Sequence, residues 1–145
     1  MGAKFYFSSQ TCTSPSQSER LVALGLDKET ADRTIILLED NSWLMQEIEF
    51  SEGLWNTERG PHSMPTWSLH RLVMLMPKSI LSHSIGDDSS RLHSFVPKFD
   101  YLGVTIENVD EILADFYQHT NLYDNLIDCI EWLINNKHFD KKYLA

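Results

Sequence analysis

The chain has 145 residues, 42% of them apolar and 23% charged, enough for one globular domain that buries roughly 70% of its unfolded surface without a metal or disulfide staple. Twelve basic residues against 21 acidic ones leave a formal net charge of -9, the wrong sign for neutralising phosphates, so nucleic acid is not an expected ligand. No apolar run approaches the roughly 18 residues of a membrane span, and no hydrophobic stretch of a secretory signal stands near Met1, so the expected location is cytoplasmic with no membrane partner.

Met1-Gly2 opens like a myristoylation site, but that motif needs Ser or Thr at the sixth position and Tyr6 stands there. The serine- and threonine-rich stretch Ser8 to Ser18 offers too little apolar surface to offset its ordering entropy, so residues 1–18 read as a flexible N-terminal arm and 19–145 as the domain. Ser16 and Glu19 fit a capping box ahead of Leu21, Val22 and Leu24, and Gly25 suits the left-handed residue that closes such a two-turn helix. Asp27 caps a second short turn, and Thr34 to Leu38 is an apolar, β-branched run of strand length.

From Asn41 to His62 the glycines, Pro61 and the isolated Trp43 and Trp55 read as a long loop. It holds one short strand, where Ile48 and Phe50 alternate with Glu47 and Glu49. Pro65-Thr66-Trp67-Ser68 then opens a helix: Leu69, Leu72, Val73 and Met76 recur at helical spacing until Pro77 stops them. Ile80 to Ile85 and Leu92 to Val96 form a hairpin across residues 86–90, Pro97 argues for an edge position, and Tyr101 to Ile106 is a further strand. Asn108 with Glu111 resembles a capping start, and Val109, Ile112, Leu113 and Phe116 predict a helix over 108–116. In the last helix Leu122, Leu126, Cys129, Ile130 and Leu133 share one face and Asp124, Asp128, Glu131 and Asn135 the other, ending at Asn135-Asn136. The fold class is therefore α+β: a single small domain whose short antiparallel sheet is packed by amphipathic helices, the C-terminal one included.

Chemistry is sparse in this pattern. Cys12 and Cys129 read as reduced thiols in a chain with its own core. Asp124, Asp128 and Glu131 form a carboxylate stripe that could in principle hold a hard cation, but the solvated back of an amphipathic helix is the better reading and no EF-hand glycine turn accompanies it. Acids in the stretch after Asn108, namely Asp110, Glu111 and Asp115, have a reason to be there in the helix dipole. His83 and His93 are a candidate ligand pair across the hairpin without a third member, no histidines show zincin spacing, and no G-x-S-x-G or glycine-rich phosphate cradle is present. Catalytic residues, metal ligands and cofactors are accordingly assigned to none. The feature left over is the helix from Thr66 to Met76, where Trp67 and Met74 stand one heptad apart opposite the core stripe. Together with Arg71 they are the candidate interaction surface, unless the chain itself covers that face.

The start Pro65-Thr66-Trp67-Ser68-Leu69, the helix end Leu75-Met76-Pro77-Lys78, the turn Leu24-Gly25-Leu26-Asp27, and the closing Asn125-Leu126-Ile127-Asp128 and Glu131-Trp132-Leu133-Ile134 resemble a family of short proteins of anaerobic gut bacteria and their integrated phages. The resemblance touches about half of the chain, its motifs are structural, and it implies a bacterial or phage-borne origin without supplying an activity or catalytic residues. Members of that family place Trp- and Tyr-rich strands before the last helix, where this chain has the helical spacing of Val109 to Phe116. The function expected is a non-enzymatic accessory or protein-interaction module that binds a protein partner or itself. The alternatives are a small hydrolase with a dispersed carboxylate and histidine site, or an acidic nucleic-acid mimic.

Overall fold

The computed structural model describes residues 9–37, 40–47, 63–85 and 91–145. The strand expected at Ile48 and Phe50, the connection 86–90, and Met1-Gly2 lie outside them. Among the described residues three α-helices and seven strands form one small α+β domain, with the strands in two antiparallel sheets.

Helix α1 runs Pro15–Ala23, so the fold begins earlier than the expected domain boundary at 19. Pro15, its φ preset for the first helical position, moves the start ahead of Ser16. Ser14 Oγ accepts from the Gln17 amide and Gln17 Oε1 accepts from the Ser14 amide at 2.9 Å, a complete capping box two residues before the Ser16 and Glu19 pair. Cys12, Thr13, Gln17 and Ser18 are buried, which puts residues 12–18 in the packed fold and not in a loose arm. Gly25 closes the helix at φ 101° as expected. Asp27 then caps a 3-10 turn at Lys28–Thr30.

Strand β1 (Arg33–Leu37) is the centre of a three-stranded sheet, flanked by β2 (Trp43–Glu47) and β3 (Ser63–Thr66). Pro65 is tolerated because β3 is an edge strand. Thr66, expected at the start of a helix, is thus a strand residue paired with Arg33. Its hydroxyl is buried with no hydrogen-bond partner among the described residues. Since an unpaired buried hydroxyl costs about 1–3 kcal/mol, Thr66→Val should leave thermal stability unchanged or raise it by about 1 kcal/mol. A loss of that size would reveal a partner for the hydroxyl.

Helix α2 spans only Leu69–Leu75, with Ser68 as its N-cap. Ser68 is fixed there by Asp32, whose carboxylate accepts from the Ser68 amide at 2.8 Å. Trp67 therefore precedes the helix and does not share a helical face with Met74.

The second sheet has the order β4 (Ile80–His83), β5 (Leu92–Phe99), β6 (Val104–Glu107), β7 (Ile112–Phe116). Strand β4 pairs with β5 only from Leu92 to Phe95 and β6 only from Val96 to Phe99. Pro97 thus lies in an interior strand but beyond the end of β4, where its missing N–H removes no ladder bond. The segment expected as a helix over 108–116 is a turn and a strand. Asn108 Oδ1 accepts from the Asp110 and Glu111 amides, both at 2.9 Å, and the Asn108 amide donates to Glu111 O. The same side chain that caps a helix equally closes a tight turn. The apolar residues that suggested a helix face do not share a buried side: Val109 is fully exposed at the hairpin tip and Ile112 is 52% exposed.

Helix α3 (Leu122–Asn135) is the expected C-terminal helix and ends at Asn136, after which Lys137 takes a left-handed φ of 61°. It packs against α1, α2, β6 and β7. Leu126, Ile127, Cys129, Ile130 and Leu133 join Leu21, Leu72, Phe95, Val104 and Ile106 in the central apolar cluster. Asn125 is fully buried and fully used: its Nδ2 donates to Leu102 O and His119 O, and its Oδ1 accepts from the His119 amide. One side chain thereby ties the loops before β6 and after β7 to the helix. No helix among the described residues is long and apolar enough to cross a membrane.

Candidate functional site

The proposed surface of Trp67, Arg71 and Met74 is not formed. Trp67 is 0% exposed, its amide donates to Thr13 Oγ1, and its indole N–H donates to Thr30 Oγ1 at 2.9 Å. Arg71 is half-buried and donates to Thr30 O. Only Met74, 56% exposed, faces outward. The Trp67 ring serves to join the Lys28–Thr30 turn, α2 and the residues before α1.

The histidine pair also comes apart. Ser82 stands opposite His93 and Leu92 opposite His83, so the two imidazoles lie on opposite faces of the hairpin. No group of three His, Cys, Asp or Glu that could hold a metal ion occurs among the described residues.

The carboxylate stripe of α3 is not a bare solvated face. Arg20 of α1 reaches both Asp128 and Glu131 at 2.7 Å, His119 Nε2 lies 2.9 Å from Asp128, and Gln17 donates to Asp124 at 2.8 Å. Burial lowers the Arg20 pKa, but hydrogen bonds and attraction from the two carboxylates outweigh it, so the guanidinium is held charged.

Beside these ion pairs a cleft of about 310 Å³ opens between β7 and α3. Asp115, Phe116 and Gln118 line it from the strand side, and Asp128, Glu131, Trp132 and Asn135 from the helix. The Phe116 and Trp132 rings meet edge to face at 6.1 Å, and His138 stacks behind Trp132 at 5.7 Å. Asp115 belongs to the outer sheet face and Phe116 to the inner one, so the cleft wraps around the strand's outer edge. That edge has no pairing strand among the described residues, because β7 bonds only to β6. The chain therefore presents backbone donors and acceptors next to an aromatic, acidic depression. Asp128, Glu131, Trp132 and Asn135 are spaced i, i+3, i+4, i+7, so the helix half was legible had Trp132 been read with the acids. The strand half was hidden by the helical reading of 108–116.

A second cleft of about 360 Å³ lies between α1 and β3, bounded by Val22, Ala23, Met64 and Pro65 among others. Its ionisable lining residues, Glu19 and Lys28, are both exposed, and it has no aromatic ring.

Cys12 and Cys129 are free and buried. Burial pushes the Cys129 thiol up to about 12, leaving it protonated and a poor nucleophile at neutral pH. Because the folded value is raised, the associated stability is complete below the unfolded thiol value near 9 and is lost as pH rises toward 12. Stability should fall by about 1.4 kcal/mol per pH unit from this group above pH 9. Urea titrations at pH 8 to 10.5 on the natural chain and on Cys129→Ala measure it, and equal slopes in both would remove Cys129 as the cause.

No protein-family model, curated protein or solved structure matches this chain. The chemistry of the cleft is therefore read from its own residues.

Proposed function

We propose that this chain is a non-enzymatic accessory module, bacterial or phage-borne and acting in the cytoplasm, that works by binding another protein. The observation that carries the reading is the edge of β7, unpaired among the described residues, beside the cleft against α3. An open strand edge is the commonest backbone template for a second chain, and natural proteins cover or blunt such edges unless they use them. The resemblance of the Trp67 and α3 segments to short gut-bacterial and phage proteins supports the origin.

A hydrolase reading is less well supported, since acid–base catalysis needs two cooperating groups and, of the three cleft carboxylates, only Asp115 makes no ion pair among the described residues. Asp128 and Glu131 share the Arg20 guanidinium, and Asp128 also holds His119. Affinity capture with the full chain from the cells that encode it, followed by sedimentation of the purified chain with each captured protein, tests the proposal. A stoichiometric complex is expected. A monomer that forms no complex but turns over a chromogenic ester, phosphate or glycoside would replace binding with catalysis.

A further inference from the structure

The geometry points to an extended, basic protein segment as the ligand of the β7 edge, added as a fifth strand with one Lys or Arg side chain in the cleft. The inference rests on the interaction reading above and names its partner chemistry.

Three features converge on that occupant. Strand β7 is five residues long and terminal in its sheet, so a further strand can complete its backbone bonding at a spacing of about 4.8 Å. Next, the side chains flanking that edge carry three carboxylates, Asp115, Asp128 and Glu131, against the single guanidinium of Arg20. Three carboxylates against one guanidinium leave the cleft net negative. Of the three, Asp115 is exposed and makes no ion pair among the described residues, which leaves it available to an incoming cation. Finally, the Trp132 and Phe116 rings form the apolar part of the cleft, where the stem of a Lys or Arg can lie and its charge can interact with a ring face. A second copy is a poor occupant: the chain carries -9, and Asp115 in mid-strand repels an acidic neighbour as edge charges do.

The test uses the full chain and fluorescent peptides of about ten residues, one alternating Lys with Thr, one alternating Glu with Thr, and the Lys peptide N-methylated at every second residue. Polarisation titrations should show binding of the Lys peptide, weakened roughly tenfold or more in the Glu and N-methylated versions and weakened again by added salt. Asp115→Lys should weaken it by about tenfold while leaving the melting temperature unchanged, since Asp115 is exposed. Equal binding of the N-methylated peptide would overturn strand addition, as would spermidine competing at the peptide's own concentration, which marks a small-cation site. No binding of the Lys peptide overturns the inference outright. A captured partner that binds Asp115→Lys as well as the natural chain leaves the interaction reading standing and removes this one.

Discussion

Trp67→Ala is expected to cost about 3–5 kcal/mol and to lower the melting temperature by on the order of 10 °C, with no change in sedimentation behaviour. The ring is wholly enclosed within the central apolar cluster, so its removal leaves a cavity that the neighbouring side chains can fill only partly. The substitution also removes the indole N–H that the Thr30 hydroxyl accepts, leaving that hydroxyl only its donation to Asp27 O at 2.6 Å. Met74→Ala is the control. That side chain is more than half exposed, and its truncation should move stability by less than about 0.5 kcal/mol. If Trp67→Ala were tolerated while Met74→Ala abolished association with a partner, the burial of the indole would be wrong and the surface reading right.

Leu126→Ala should cost about 2–5 kcal/mol. Leu126 is 1% exposed on the face of α3 that meets α1, α2 and the second sheet, so no single neighbour can collapse into the space left behind. An equal truncation of Leu81, which is 61% exposed on β4, should stay within about 0.5 kcal/mol. Thermal unfolding of the two variants side by side measures the difference. A midpoint for Leu126→Ala within 2 °C of the natural chain, a limit corresponding to about 0.5 kcal/mol, would mean that α3 is not the centre of the core.

The second expectation concerns a helix, and helices and capped turns were the legible elements. Leu126 and Leu133 declare their face by spacing alone, and Asp27, Gly25 and Asn136 mark turns and ends because their chemistry is satisfied within a few residues. The α+β class followed from these periods and from the β-branched run at Thr34 to Ile36. The cleft was half legible. Its helical wall lay in the spacing of Asp128, Glu131, Trp132 and Asn135, whereas its strand wall was read as another helix.

What local sequence determines in this protein is where backbone bonds close within one turn: the α1 end at Gly25, the Asp27 turn and all of α3. What tertiary structure decided is which of two locally equivalent arrangements was used. Asn108 makes the same bonds in a helix cap as in a hairpin turn, and pairing of β7 with β6 chose the turn. Trp67 has the same spacing to Met74 whether or not it is helical. Capture of its backbone by Thr13, 54 residues away, and of its indole by Thr30 placed it in the core. The arm was settled likewise, because Thr13 bonds the Trp67 backbone and Gln17 donates to Asp124 of α3. Spacing cannot encode such partners, since the free energy that selects them comes from groups brought together only when the chain has folded.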